Sequence, residues 1–136
     1  MKANLKFRDY IVNSIEFKNN FSFVDSPVEI DFDINSEVNF ISENEFFLGL
    51  EVELFREAEK NNYPFNFKVE MIGSFEIECD DTDQKKILSE QNSVAILFPY
   101  VRALVSTYTS VSNVSPVILP PINVIKYLQN KKLKEV

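Results

Sequence analysis

Three stretches between Val28 and Cys79 alternate apolar and polar residues with a period of two, and this pattern leaves little choice of fold. In the first, Val28, Ile30, Phe32, Ile34, Val38 and Phe40 share one parity against Glu29, Asp31, Asp33, Asn35, Glu37 and Asn39, with Ser36 the only break. Phe46 to Leu54 repeats the pattern, with Glu51 and Glu53 on the polar side. Phe65 to Cys79 repeats it again, with Lys68, Glu70, Glu76 and Glu78 outward. A period of two is that of a strand with one face on a core and the other in water, and clean alternation of this kind belongs to antiparallel sheets. Leu5 to Phe17 adds a fourth strand with a mixed pattern. Leu5, Phe7, Ile11, Ile15 and Phe17 share one parity, but Tyr10 and Val12 make the other partly apolar. That predicts a strand covered on both sides near its middle, one cover being a partner subunit. Between these strands, Asn19–Pro27 (NNFSFVDSP) is a turn-rich crossing segment carrying Phe21, Phe23 and Val24. These three either tuck under the sheet or line an exposed apolar groove. Asn61-Asn62-Tyr63-Pro64 marks a further turn.

The helical signal follows Lys85. Asp81 or Thr82 can cap a short helix over 84–90. Pro99 suits the first turn of a longer one, where its missing N–H is harmless. Val101, Leu104, Val105, Tyr108 and Val111 then form one apolar face. Arg102, Ser106, Thr109 and Asn113 lie opposite, with Ala103, Ser106 and Ser110 small, a face suited to solvent or to a symmetry mate. Pro116, Pro120 and Pro121 make 114–121 an extended connector. Ile122 to Lys132 predicts a second helix with Ile122, Ile125, Tyr127 and Leu128 apolar and lysines at its C-terminal end, where the helix dipole favours cations. Strands followed by helices give the α+β class: a four-stranded antiparallel sheet with two helices packed on one face, in a single domain over 1–136. Such long edges call for pairing with a second copy.

Little catalytic chemistry is on offer. The chain has no His, one Cys and only two Gly among 136 residues, so the commonest general base, the commonest zinc ligand and a phosphate-cradling loop are all missing. Cys79 falls on the inward parity and reads as core. Glu51 and Glu53 sit at strand spacing on a solvated face. Asp80, Asp81 and Asp83 lack the glycine and distal Glu of a calcium loop. These readings predict no enzyme, no metal and no cofactor. A net charge of −7 argues against nucleic acid. The first residues show no export signal and no apolar run matches a membrane span, so a cytoplasmic protein without membrane insertion is expected. What remains is an excess of apolar residues, with thirteen Phe, above an acidic face. Arranged around an open sheet, such residues suit extended apolar polypeptide.

A resemblance sharpens this reading. Ile96-Leu97-Phe98-Pro99-Tyr100-Val101-Arg102 resembles the ILFPYAR signature of the SecB export chaperones. Leu119-Pro120-Pro121-Ile122-Asn123-Val124 is similar to that family's LAPVNF segment, at the same distance. Arg8 and Tyr10 in the first strand and the EIDFDI alternation of the second are similar too, so the likeness runs from about Leu5 to Gln129. It implies a Greek-key-like crossover and a dimer of dimers, with first strands pairing within each dimer and the long helix joining the two. It implies an ATP-independent chaperone for unfolded or precursor polypeptides. Phe21, Phe23, Val24, Ile122, Ile125 and Leu128 would then contact the client, and Tyr10, Val12, Arg102, Ser106, Thr109 and Ser110 would contact neighbouring subunits. Family members that dock the SecA motor carry acidic residues at the positions of Ser14 and Lys18, and the acidic tail is replaced by Lys-Lys-Leu-Lys-Glu-Val. The partner implied is SecA or, where those acidic residues are missing, another client such as an antitoxin. A small-ligand-binding module on the same fold would instead bury Phe21, Phe23 and Ile125.

Overall fold

A computed structural model of the chain describes residues 3–112, 114–115, 117–119 and 122–134. Asn113, Pro116, Pro120 and Pro121, to which the sequence reading gave roles, lie outside these. Four strands, β1 (Ala3–Asn19), β2 (Phe32–Phe40), β3 (Glu45–Leu54) and β4 (Phe65–Cys79), form one antiparallel sheet in the order β1-β4-β3-β2. Three strands follow one another by local turns, and the first lies beside the last after a long crossing, which is a Greek key. The alternation reads out directly in the two central strands. Phe46, Leu48, Leu50, Val52 and Leu54 of β3, and Phe65, Phe67, Val69, Met71, Phe75 and Ile77 of β4, are all buried. Phe46 and Phe75 stack at 5.2 Å between centroids.

The edge strands depart from the reading for identifiable reasons. β2 begins at Phe32, not Val28, because its partner β3 ends opposite Phe32 at Leu54; past that point one backbone bond, from the Phe55 N–H to the Asp31 carbonyl at 2.9 Å, remains. In β1 the register slips between Phe7 and Asp9 and again between Val12 and Ser14. These are two β-bulges, each inserting one residue and inverting the parity that follows. Within one chain the middle of the strand is covered on the helix side only. Tyr10 and Val12 face the helices, opposite Gly73 and Met71, while Ile11 stands on the outer face opposite Ile72 and is 60% exposed. The bulged residues bind outward: Arg8 pairs with Glu76 at 2.7 Å, and the Asn13 side chain donates to Glu70 at 2.5 Å.

After β4, Asp81 caps α2 (Thr82–Ile87), its side chain accepting from the backbone N–H groups of Asp83 and Gln84. The helix does not stop there. A π-helical turn, Leu88–Asn92, leads straight into α3 (Ser93–Val111), giving one continuous helix of 30 residues. Pro99 lies inside α3 and not in a first turn. Its upstream neighbours Val94, Leu97 and Phe98 continue the apolar face of Val101 and Val105, all five being buried, and this packing outweighs the one hydrogen bond that proline forfeits. Val111, read as part of that face, is exposed. The helix is long and apolar enough to match a membrane span, which the sequence reading had not anticipated; its apolar face is packed on the sheet. A short α1 (Ala58–Asn61) follows β3, and α4 (Val124–Lys134) ends the described chain. Both helical layers lie on the sheet's apolar face, as expected for this α+β class.

Gly73 sets how close α3 comes. A Cβ at this position would lie 3.0 Å from the Phe75 ring and 3.2 Å from a Leu97 methyl, whereas at Gly49 the nearest atom would be 3.8 Å away. Gly73→Ala is expected to cost about 1–3 kcal/mol by overpacking, and Gly49→Ala within about 0.5 kcal/mol of zero. Urea denaturation of the two variants tests this, and equal midpoints would refute it.

Candidate functional site

α3 lies over β1, β4 and β3. An α-helix with side chains is about 10 Å across, and four strands span more than that at about 4.8 Å per neighbour. One flank of the apolar face is therefore left open at β2, and the helical layer reaches it only through the π turn and α4. The result is a groove. One wall is β2, through Ser36, Val38 and Phe40; the opposite wall is Ser89, Glu90 and Gln91 of the π turn. α4 closes one end with Leu128, Lys132 and Leu133, around a cavity of about 800 Å³. A second cavity of about 540 Å³ meets it at Phe40, Ser89 and Glu90 and continues past Ile41 to Lys85 and Lys86. Phe40, half-stacked on Phe46 at 5.2 Å, is 46% exposed in this channel. Ser36 faces the core side opposite Leu50, so the single break in the β2 alternation is where the strand stops being covered.

α4 is held at this end largely by polar contacts. Lys131 Nζ donates to Asp33 Oδ1 (2.9 Å), the Ile34 carbonyl (2.7 Å) and Asn35 Oδ1 (2.7 Å). The Tyr127 hydroxyl donates to the same Asp33 oxygen at 3.0 Å, and its ring stacks on Phe32 at 5.6 Å. Beside them Arg56 forks onto Asp31 at 3.2 and 3.0 Å. The Arg56 hydrogen bonds hold the Asp31 carboxyl below the usual carboxylate range. At Asp33 burial opposes ionisation, but the donors Lys131 and Tyr127 outweigh it and its pKa also falls below the ordinary value. Burial, and then the bond to Asp33, push the Tyr127 phenol up. Because Lys131 takes the Ile34 carbonyl, α4 covers the free edge of β2 at that point; Ser36 to Phe40 lie beyond it.

The crossing segment is held just as firmly. Asn20 is buried, and its side-chain amide donates to the carbonyls of Ala58 and Tyr63 (3.2 and 2.9 Å). Asn62 accepts from the Val24 N–H at 2.9 Å and donates to the Val24 carbonyl at 3.0 Å. The two asparagine turns of the sequence thus clasp each other. Between these staples Phe21 is 95% exposed and Val24 70%, so both stand in solvent on a fixed backbone. Phe23 is half-buried.

The expected client residues are spread over three places. Leu128 lines the β2 groove. Ile122 and Ile125 line a small cleft of about 230 Å³ between α4 and α3, with Phe98, Pro99 and Arg102. Phe21, Phe23 and Val24 line neither. The expected subunit contacts also divide. Tyr10 and Val12 are partly exposed on the helix side of β1, with Tyr10 against Tyr100 at 4.8 Å. Arg102 Nε donates to the Leu119 carbonyl (3.1 Å), the Ser106 hydroxyl to the Val117 carbonyl (3.4 Å), and Thr109 Oγ1 accepts from the Val117 N–H (3.0 Å). These three engage the chain's own connector. Ser110 is exposed, on a stripe with Tyr100, Ala103 and Thr107. The groove residues Ser36, Val38, Phe40, Glu90, Lys132 and Leu133 are not among the site residues that the sequence predicts. The break at Ser36 was the one signal that pointed to them.

The comparisons with known proteins agree with this architecture. The model of the preprotein translocase subunit SecB family matches residues 7–135, and the chain belongs to that family. An uncharacterized protein of Methanocaldococcus jannaschii is 38% identical over 98% of this chain and 89% of its own length. The protein-export protein SecB of Rickettsia akari is 29% identical over 82% of this chain and 73% of its own. Among solved structures, the Mycobacterium tuberculosis SecB-like chaperone in complex with an antitoxin peptide superposes with a TM-score of 0.67, at 13% identity and covering 87% of each chain. A Streptococcus agalactiae protein of unknown function superposes at 0.53, with 12% identity, covering 89% of this chain and all of its own. Family membership supports a chaperone role.

The polar latch gives a pH dependence whose sign is set. Asp31 and Asp33 have depressed pKa values in the folded chain. Their contribution is therefore present above the unfolded carboxylate value near 4 and is lost as the pH falls through the folded values. Asp33→Asn is expected to cost about 1–2 kcal/mol at pH 7 and to make stability less steep in pH below about 4. Denaturant midpoints at pH 7 and pH 3 check this; an unchanged acid slope would refute it.

Proposed function

We propose that this chain is an ATP-independent holding chaperone. It takes extended apolar polypeptide segments into the open groove along β2, with Phe21 and Val24 of the crossing as an accessory contact. The observation that carries the reading is the combination of uncovered apolar side chains with a rigid frame. Phe21 and Val24 are held out by the backbone bonds of Asn20 and Asn62, and Val38, Phe40 and Leu128 line a channel that the helical layer is too narrow to close. Patches of this sort mark binding surfaces. The exposure of Phe21 weighs against a small-ligand module, which would bury it.

The client is an unfolded or precursor chain, and the antitoxin-type client is favoured over delivery to SecA. Ser14 and Lys18 are exposed on β1 where the SecA-docking members carry acids, and a related fold binds an antitoxin peptide in the M. tuberculosis protein. Assembly as a dimer of dimers is supported by β1, a 17-residue edge strand whose open side would otherwise invite uncontrolled pairing. Next to it runs the Tyr100–Ala103–Thr107–Ser110 stripe.

Two measurements follow. Stoichiometric protein is expected to slow aggregation of an unfolded client severalfold, and Phe21→Ser with Phe40→Ser to abolish most of that effect. The Phe21 change alone should move stability by no more than about 0.5 kcal/mol. No protection by the wild type would end the proposal. Light scattering is expected to give four chains for the wild type and fewer for Val12→Asp; a monomeric wild type would remove the assembly from it.

A further inference from the structure

The two faces of the sheet differ in charge. The outer face carries Glu51, Glu53, Glu70, Glu76 and Glu78 against few cations. The groove does not share that character. It is apolar at Val38 and Phe40 along the strand and at Leu128 of α4, and it has ammonium groups at both ends. At one end stands Lys132 of α4, a helix with four lysines and no Asp or Glu. At the other stand Lys85 and Lys86. Lys85 is already engaged: its Nζ donates to the Glu43 carbonyl at 2.5 Å and sits 5.2 Å from the centroid of the Phe40 ring. Lys86 and Lys132 are exposed and form no ion pair among the described residues, in contrast to Lys131, which is tied to Asp33. Two carboxylates also line the channel. Glu43 belongs to the Lys85 end, and Glu90 stands in the middle, where the two cavities meet.

Building on the holding function proposed above, we infer that the groove selects client segments in which a short apolar run is bounded on both sides by carboxylates. The Ser36–Ile41 wall is six residues of extended chain, about 20 Å at 3.3 Å per residue, so the segment is about six residues long. Its apolar side chains lie against Phe40, Val38 and Leu128. Its flanking Asp or Glu residues meet Lys132 at one end and Lys86 at the other. A carboxylate at its centre would face Glu90 and is disfavoured. The net charge of −7 repels acidic chains at long range, but at physiological salt that field is screened beyond about 8 Å, so the lysines at the rim decide the ranking. Complementary rim charges act chiefly as selectors, at modest gain each.

The test is displacement of a fluorescent, uncharged apolar hexapeptide from the full chain at about 0.15 M salt. Three competitors share one apolar core and carry Glu, Gln or Lys flanks. The Glu-flanked peptide is expected to displace the probe at about five- to tenfold lower concentration than the Gln-flanked one, and the Lys-flanked peptide to be the weakest. Lys86→Gln with Lys132→Gln, both at exposed positions, should bring the Glu-flanked peptide to the Gln level. The inference is overturned by a Lys-flanked peptide that equals or beats the Glu-flanked one, by a ranking blind to charge, or by a Glu preference that survives the double substitution. A probe that does not bind at all takes down the holding function, and the selectivity with it. A probe that binds without charge preference leaves that function standing.

Discussion

The structure depends on one mismatch of widths. A single helix packs on a four-stranded sheet, and a helix covers about two strands. α3 settles over the central pair, where Leu48, Leu50, Val69 and Met71 are almost fully buried, and Gly73 allows Leu97 to sit close to β4. Both flanks of the apolar face are then left partly open. On the β1 flank Tyr10 packs against Tyr100 of α3 and, with Val12, stays partly exposed; on the β2 flank Val38 and Phe40 open into the groove. In a chain with thirteen Phe these flanks are rich in apolar surface; under the proposed function the first would meet another copy of the chain and the second a client.

Polar contacts define where the open surface begins and ends. The Asp33 cluster ties α4 over the first residues of β2, and the Asn20 and Asn62 bonds fix the crossing at the end of the sheet. Neither set buries much apolar area. Both fix backbone geometry, so the exposed Phe21 and the groove wall at Phe40 are ordered features. A surface built in this way would lose little conformational entropy on binding an extended chain.

The central strands were legible because each residue of β3 and β4 has the same neighbours along its whole length, so burial follows parity alone. β1 was misread at its middle because a bulge is one extra residue, and a one-residue slip exchanges the two faces. Ile11 and Val12 carry no local mark of it. Pro99 was placed at a helix start because its local cost argues against a helix interior; the burial of Val94, Leu97 and Phe98 on the sheet is a tertiary gain that local reasoning does not contain. The polar face of α3 was assigned to solvent or a symmetry mate, whereas Arg102, Ser106 and Thr109 bind residues 117–119 of the same chain. Which of three partners a hydrogen-bonding face meets is decided by where the connector returns.

The amino-acid sequence by itself determined the class of fold, the inward faces of three strands, a helix cap at Asp81 or Thr82, the lack of histidine chemistry and the family signature at Ile96–Arg102. These follow from period, from residue type and from short-range spacing, which act within a few residues. The tertiary structure alone decided the bulges of β1, the continuity of the helix from Thr82 to Val111, the bonds of Asn20 to Ala58 and Tyr63 and of Asn62 to Val24, and the groove itself. Ser36, Glu90 and Lys132 come from a strand, a π turn and the last helix, and no local pattern links them. They are brought together only when α3 takes the centre of the sheet and leaves β2 uncovered.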